Sequence, residues 1–153
     1  MKDSGKLYLK TPIGNLEIIV EHNNIILISL VKEALKSDSL RLEERIKDEF
    51  SRYFDGNLKA FSLPYKLDVS QFRKTVLEMT RAIAYGKTTT YLELSINAFN
   101  HNKARAVGQA LNKNPLMILI PCHRVIGKNQ QLIGYNGGIE VKSYLINLEK
   151  QHS

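Results

Sequence analysis

In the first third of the chain, apolar residues gather in short runs separated by turn formers. Leu7 to Lys10, Leu16 to Glu21 and Ile25 to Val31 are rich in Ile, Leu and Val, with Thr11-Pro12-Ile13-Gly14 and His22-Asn23-Asn24 between them. This spacing predicts three strands of an antiparallel meander, with Leu16, Ile18 and Val20 on one face. From Ser39 the period changes: Leu42, Ile46, Phe50 and Phe54 recur, with Glu43, Glu44, Lys47 and Asp48 interleaved. That is an amphipathic helix, stopped near Gly56. Residues 56–67 contain Pro64 and weak periodicity and read as a linker. Its Phe61, Leu63, Tyr65 and Leu67 imply that it packs against something rather than flexing freely.

Beyond the linker, Ser70 caps a predicted helix with Phe72, Val76, Met79 and Ile83 inward, ending at Tyr85-Gly86. Thr90 and Glu93 have the spacing of a capping box that opens a short helix. Asn97 to Asn102 is polar enough for a turn. A further helix runs from Lys103 to about Lys113, before Pro115, with Ala104, Val107, Gly108 and Leu111 as its inward stripe. Two short helices on a tight connection outline a helix-turn-helix, a weak signal by itself. Gly134, Gly137 and Gly138 surround Tyr135-Asn136 in a loop that permits close approach of a ligand to backbone. The last helix spans Ile139 to Lys150, with Val141, Tyr144, Leu145 and Leu148 inward. Glu149 lies near its end, where the helix dipole disfavours negative charge. The fold class is α+β. A small antiparallel sheet plus helix occupies residues 1–67, and a mainly helical half with a helix-turn-helix occupies residues 68–153.

Composition narrows the function. The chain has 153 residues, 43% hydrophobic and 24% charged, ordinary for a soluble globular protein. No apolar run is long enough to span a membrane, and Met1-Lys2-Asp3-Ser4-Gly5 lacks the apolar core of a signal peptide. A cytoplasmic protein with no membrane partner is expected. The net charge is +7, unevenly divided. Residues 1–67 hold 11 Lys/Arg against 10 Asp/Glu, and residues 68–153 hold 11 against 5. A basic second half favours a polyanion, nucleic acid ahead of membrane. The single cysteine cannot form an internal disulfide, and the four scattered histidines lack ligand spacing, so no metal is expected.

That cysteine lies in Pro121-Cys122-His123-Arg124, after the apolar run Met117 to Ile120. A free thiol with a pKa of about 8.5 is only slightly ionised at neutral pH unless a base or cation assists it. His123 and Arg124 are candidates. A lone cysteine after an apolar run is ordinarily a small core residue, and neighbouring side chains on a strand point to opposite faces. The four residues alone leave both readings open.

Three stretches together carry a more specific signal: Arg105-Ala-Val-Gly-Gln-Ala-Leu-Asn-Lys-Asn-Pro115, Ile118-Leu-Ile-Pro-Cys-His-Arg-Val-Ile-Gly127 and Gly134-Tyr-Asn-Gly-Gly138. They resemble the methylated-DNA-protein-cysteine methyltransferases, or O6-alkylguanine-DNA alkyltransferases, closely from about Ser70 to Glu149. The first 65 residues match only in pattern. The resemblance implies a ribonuclease H-like first domain and a winged-helix-like second one. It implies direct reversal of DNA damage, with Cys122 taking an alkyl group from O6 of guanine, once per molecule and without a cofactor. O4-alkylthymine is a further candidate substrate.

The same resemblance assigns roles. His123 draws the thiol proton through a water, Glu149 orients the imidazole, and the Tyr91 hydroxyl donates to the departing base. Arg105 fills the gap left by a base rotated out of the duplex. Its helix, with Lys103, Ala104, Ala106 and Gly108, lies in the minor groove. Asn114 ties this helix to the active-site strand, bonding backbone near Pro121 or Val125. Pro121, Tyr135, Asn136 and Gly137 form the guanine pocket, and Arg124 and Lys142 support it. Many members have Gly or Ser at the position of Asn136, so a larger amide here narrows the pocket or adds a hydrogen bond. The zinc-binding cysteines of some members are absent. The partner implied is double-stranded DNA carrying O6-alkylguanine, bound by a monomer with cooperativity along DNA as an open question. Three rivals remain: a relative that binds alkylated guanine without repairing it, a cysteine hydrolase using Cys122, His123 and Glu149, and a plain structural domain.

Overall fold

The computed structural model describes residues 1–135 and 137–153, and the chain divides into two compact units, Met1–Leu67 and Asp68–Ser153. In the first, β1 (Gly5–Thr11), β2 (Gly14–Glu21) and β3 (Asn24–Val31) form an antiparallel sheet in that order. His22 and Asn23 both take positive φ between the paired residues Glu21 and Asn24. Such a turn matches the right-handed twist of the strands it joins. Leu7, Leu16, Ile18, Val20, Ile25 and Ile28 form the buried face. Helix α1 (Glu43–Phe54) covers it with Ile46, Phe50 and Tyr53. Tyr53 replaces the expected Phe54, which is half-buried, because 3.6 residues per turn bring position 53 rather than 54 back to the inner face.

The stretch expected to be a linker is built into this unit. Phe61 packs against Phe50 and Tyr53 with ring centroids 5.1 and 5.3 Å apart. The Ser62 amide and hydroxyl donate to the buried Glu49 carboxylate at 2.7 and 2.6 Å. Ile25 N donates to Pro64 O and Lys66 N to Ile25 O, at 2.9 and 3.0 Å, so the chain runs along the start of β3 as a short bridge.

The second unit packs α2 (Gln71–Arg81), α3 (Tyr91–Phe99) and α4 (Ala104–Asn112) against one another. Ser70 caps α2, accepting from Arg73 N at 3.3 Å, but the helix ends at Arg81, so Ile83 and Tyr85 lie in the connection that follows. Thr90 caps α3 by accepting from Glu93 N at 3.1 Å, while the Glu93 carboxylate accepts from the Thr89 and Thr90 hydroxyls. Helix α3 continues through Asn97 to Phe99, and Asn100 ends it in the left-handed conformation. The Ser95 hydroxyl donates to His101 O and accepts from Lys103 N, fixing the turn between α3 and α4.

Three expected stripes shift. Helix α2 buries Val76, Leu77 and Thr80, while Phe72 and Met79 are half-buried. Helix α4 buries Val107, Ala110 and Leu111, while Ala104 and Gly108 are half-buried, with Gly108 against the Tyr91 ring. Helix α5 (Ile139–His152) buries Lys142, Leu145, Ile146, Leu148 and Glu149 and leaves Tyr144 40% exposed. Positions 142, 145, 146 and 149 make a helical stripe that a search for apolar residues passes over, because two of its members are charged. A two-residue parallel pair, β4 (Thr89–Thr90) with β5 (Val125–Ile126), was not predicted, being too short for any periodicity. It ties the start of α3 to the segment carrying Cys122.

Candidate active site

No strand leads to Cys122. Leu116 to Ile126 are buried, but the backbone reverses twice before the cysteine. Ile118 takes φ +71° in a γ-turn closed by Leu119 N to Met117 O at 2.8 Å. Pro121, at φ −81° and ψ 63°, sits in an inverse γ-turn closed by Cys122 N to Ile120 O at 2.8 Å. Cys122–Arg124 then form one 3-10 turn leading into β5. The expected active-site strand is thus replaced by tight turns, and only β5 beyond it is extended. Successive residues of a helical turn are not sent to opposite faces as strand neighbours are.

Asn114, two residues past α4, holds this knuckle. Its Nδ2 donates to Ile120 O at 3.0 Å and to Cys122 Sγ at 3.2 Å, and its Oδ1 accepts from Leu116 N at 2.9 Å. Residues 104–126 are therefore one piece, with α4 at one end and the thiol at the other.

Glu149 organises the charge. His123 Nε2 lies 2.6 Å from Glu149 Oε2, and the Arg124 guanidinium grips the same carboxylate through Nε at 2.7 Å and Nη2 at 3.1 Å. Gly86 N adds a contact at 3.4 Å. Burial favours the neutral acid, but hydrogen bonds from His123 and Arg124 outweigh it and hold Glu149 down to about 2. An ionised carboxylate only accepts, so Nε2 carries the imidazole proton and Nδ1 presents a lone pair. Nδ1 is buried and has no hydrogen-bond partner among the described residues. Burial pushes His123 below its ordinary value despite Glu149, so the imidazole is neutral at pH 7 and available as a base. Burial pushes the Cys122 thiol up to about 11, with the Asn114 hydrogen bond and the Lys142 charge pulling the other way. Arg124 is directed to Glu149 and, through Nη1 at 2.6 Å, to Ile83 O, with its guanidinium 5.7 Å from the Tyr85 ring centroid. It serves the carboxylate rather than the sulfur.

Tyr91, the first residue of α3, donates from its hydroxyl to Ile133 O at 2.6 Å. Lys142 Nζ donates to the same oxygen at 2.8 Å and to the Tyr91 hydroxyl at 3.4 Å. Burial pushes Tyr91 up to about 12 and Lys142 down to about 8. Tyr135 is buried, and its hydroxyl has no partner among the described residues. Gly137 lies beneath it: an added Cβ would stand 2.8 Å from the ring and 3.2 Å from Met117 Cε. Asn136 lies outside the described residues.

A groove of about 450 Å³ opens beside this cluster, lined by Tyr91, Ala104, Arg105, Gly108, Asn112 and Ile133 among others. Arg105 is exposed at its rim, and Ala106 is half-buried on the other flank of α4. Lys103 lies elsewhere: its ammonium is 5.3 and 5.9 Å from the centroids of the stacked Phe99 and Phe72 rings. The arrangement brings Cys122, His123, Arg124, Glu149 and Asn114 together, and Tyr91 with Lys142. Sequence reasoning missed Ile83, Gly86 and Ile133, which act through backbone atoms and leave no side-chain signal.

Two family descriptions match the chain: the DNA binding domain of 6-O-methylguanine DNA methyltransferase over residues 71–151 and its ribonuclease-like domain over residues 6–67. A methylated-DNA–protein-cysteine methyltransferase of Haemophilus influenzae is 37% identical, covering 94% of this chain and 84% of that protein. One of Methanosarcina acetivorans is also 37% identical, over 92% and 94%. The crystal structure of Mycobacterium tuberculosis O6-methylguanine methyltransferase superposes with a TM-score of 0.89 at 29% identity, covering 98% of this chain and 94% of that one. The same organism's OGT in complex with DNA gives 0.87 at 31% identity, over 95% and 92%. With both halves matched and relatives aligned over nearly the whole length, the chain belongs to the 6-O-methylguanine DNA methyltransferase family, a family of DNA-repair methyltransferases.

Proposed function

We propose that Cys122 accepts an alkyl group from O6 of guanine in double-stranded DNA and keeps it as a thioether, so that each molecule acts once. The observation that carries this reading is the buried thiol beside a neutral imidazole whose tautomer Glu149 and Arg124 fix. A resting thiol held at about 11 is inert. It becomes nucleophilic only when Nδ1 of His123 removes its proton, through one bridging water, as the sulfur attacks the saturated carbon. Sγ–C forms while C–O6 breaks. The electron pair goes into the purine, which takes up a proton in exchange for the one the thiol gave to His123. A thioether is a stable product that does not readily give its alkyl group back.

A base inside a duplex cannot reach this thiol and must rotate out, at a cost of a few kcal/mol. Arg105, exposed at the rim of the groove, fills the gap it leaves. The small residues Ala104, Ala106 and Gly108 let α4 lie close to the minor groove, where sequence is read poorly and lesion repair loses little. Pro121, Tyr135 and Gly137 wall the pocket, and the Tyr91 hydroxyl donates to the departing base. The protein works as a monomer in the cytoplasm.

Incubation with an oligonucleotide duplex bearing one O6-methylguanine tests this. The Cys122 peptide gains about 14 Da, one methyl in place of a proton, once per protein. Tight binding without a mass change would favour a non-repairing relative, and multiple turnovers of an ester or amide would favour a hydrolase.

A further inference from the structure

A phenol has one proton to give, and that of Tyr91 is committed to Ile133 O at 2.6 Å. To donate to a purine, Tyr91 must let that carbonyl go. Lys142 already donates to the same oxygen at 2.8 Å, so the carbonyl keeps a partner when Tyr91 turns away. Lys142 also donates to the Tyr91 oxygen at 3.4 Å, with its ammonium 5.6 Å from the Tyr91 ring centroid. A hydroxyl that accepts from an ammonium is polarised and donates more strongly.

The arrangement is built for this contact. Lys142 has no exposed surface, which is unusual for a lysine. On the buried stripe of α5 it is the one cation, beside Leu145, Ile146 and Glu149. Gly134, at φ +68°, follows Ile133, and an added Cβ there would stand 3.1 Å from the Tyr91 hydroxyl oxygen. A glycine is what allows the loop to bring the Ile133 carbonyl to that hydroxyl.

We infer, on the reading that Cys122 takes the alkyl group, that Lys142 is a positioning residue: it takes over the Ile133 carbonyl and polarises Tyr91, freeing the phenol proton for the departing purine. The phenol gives a hydrogen bond and stays un-ionised; the proton that the purine finally acquires balances the one taken by His123.

The test is a double-mutant cycle read with two electrophiles. Methyl transfer from an O6-methylguanine duplex is timed for wild type, Lys142→Met, Tyr91→Phe and the double variant. Lys142→Met is expected to slow transfer about tenfold when Tyr91 is present and less than about twofold in the Tyr91→Phe background. Alkylation of Cys122 by iodoacetamide, whose iodide leaving group needs no proton, should fall by a much smaller factor than transfer does. Lys142→Arg, which keeps the cation and its donors, should recover part of the duplex rate. Equal losses with both electrophiles would mean that Lys142 serves only the thiolate, and additive losses would mean that it does not act through Tyr91. Either overturns the inference. Should Lys142→Met not fold, Lys142→Gln takes its place in the cycle. If wild type gains no methyl at all, the alkyl-acceptor reading fails; if it does and the cycle is additive, only the role of Lys142 fails.

Discussion

Glu149 meets both His123 and Arg124, and one substitution tests both contacts at once. Glu149→Gln keeps the shape but leaves the buried Arg124 guanidinium without a counter-charge, which should cost about 3–5 kcal/mol in urea unfolding. It also frees the His123 tautomer, so transfer to Cys122 should fall at least about 100-fold. The pH dependence has a fixed sign. Glu149 is held at about 2 against an ordinary 4.5, so its contribution is complete above 4.5 and is lost as pH falls toward 2. His123 is depressed below 6.5, so an unfolded chain takes up its proton first and acid favours unfolding from there down. Unfolding free energy should therefore decline steadily below pH 6.5, and Glu149→Gln should flatten the part between 4.5 and 2. Lys142 works in the opposite direction along the scale. Held at about 8 against 10.5, it destabilises the fold below pH 8, and the penalty is relieved as pH rises toward 10.5. Lys142→Met should thus raise Tm by about 2–5 °C at pH 7 while slowing transfer, a trade of stability against function. These residues were legible in the sequence as types but not as partners. Arg124 was a candidate for assisting Cys122, whereas its fork is spent on a carboxylate 25 positions away, a pairing that only the path of α5 decides.

Caps and short pairings position the chemistry at the level of elements. Thr90 caps α3 and pairs in β4, so Thr90→Ala should destabilise by about 1 kcal/mol and also slow transfer, because Tyr91 is the next residue. Ser70→Ala, at a cap distant from the cluster, should destabilise by a similar amount and leave transfer unchanged. Urea midpoints and single-turnover rates on both variants check the contrast. The three strands and five helices could be read from periodicity and turn residues, because each is long enough for its period to show. Their inner faces were less secure. Tyr53 for Phe54 and Lys142 for Tyr144 are one- or two-residue slips, the first from approximating 3.6 by four and the second from letting hydrophobicity alone define the buried stripe. The turns at Ile118 and Pro121 were read as the end of a strand, since an apolar run looks the same whether extended or folded back on itself.

On the scale of the whole chain, the charge count needs one amendment. Of the 11 cations in residues 68–153, Arg124 and Lys142 are buried, so nine remain to face a polyanion. The basic bias persists, because Arg124 is cancelled by Glu149, and binding to DNA should weaken with salt. The slope of log K against log salt should become shallower by about 1 in Arg105→Ala if Arg105 meets a phosphate, and stay unchanged if it only fills the gap left by the base. That variant should also react slowly with a duplex yet keep much of its reactivity toward the free alkylated base. The fold class was legible in outline because a sheet followed by helices leaves two different periods in one sequence. What it could not convey is how the stretch after Gly56, read as a linker, is fastened. A buried Glu49 and the rim of β3 hold it, and both are contacts between residues far apart in sequence.

The double reversal before the cysteine has an observable signature of its own. The amides of Leu116, Leu119, Ile120, Cys122 and Arg124 are all bonded within residues 114–124, in a buried stretch that belongs to no sheet and contains only a single 3-10 turn. In native-state hydrogen–deuterium exchange these five should form a slow island between faster neighbours at residues 112–113 and 128–131, opening only with the whole second unit. Loss of that island in an Asn114→Ala variant would trace its rigidity to one amide side chain.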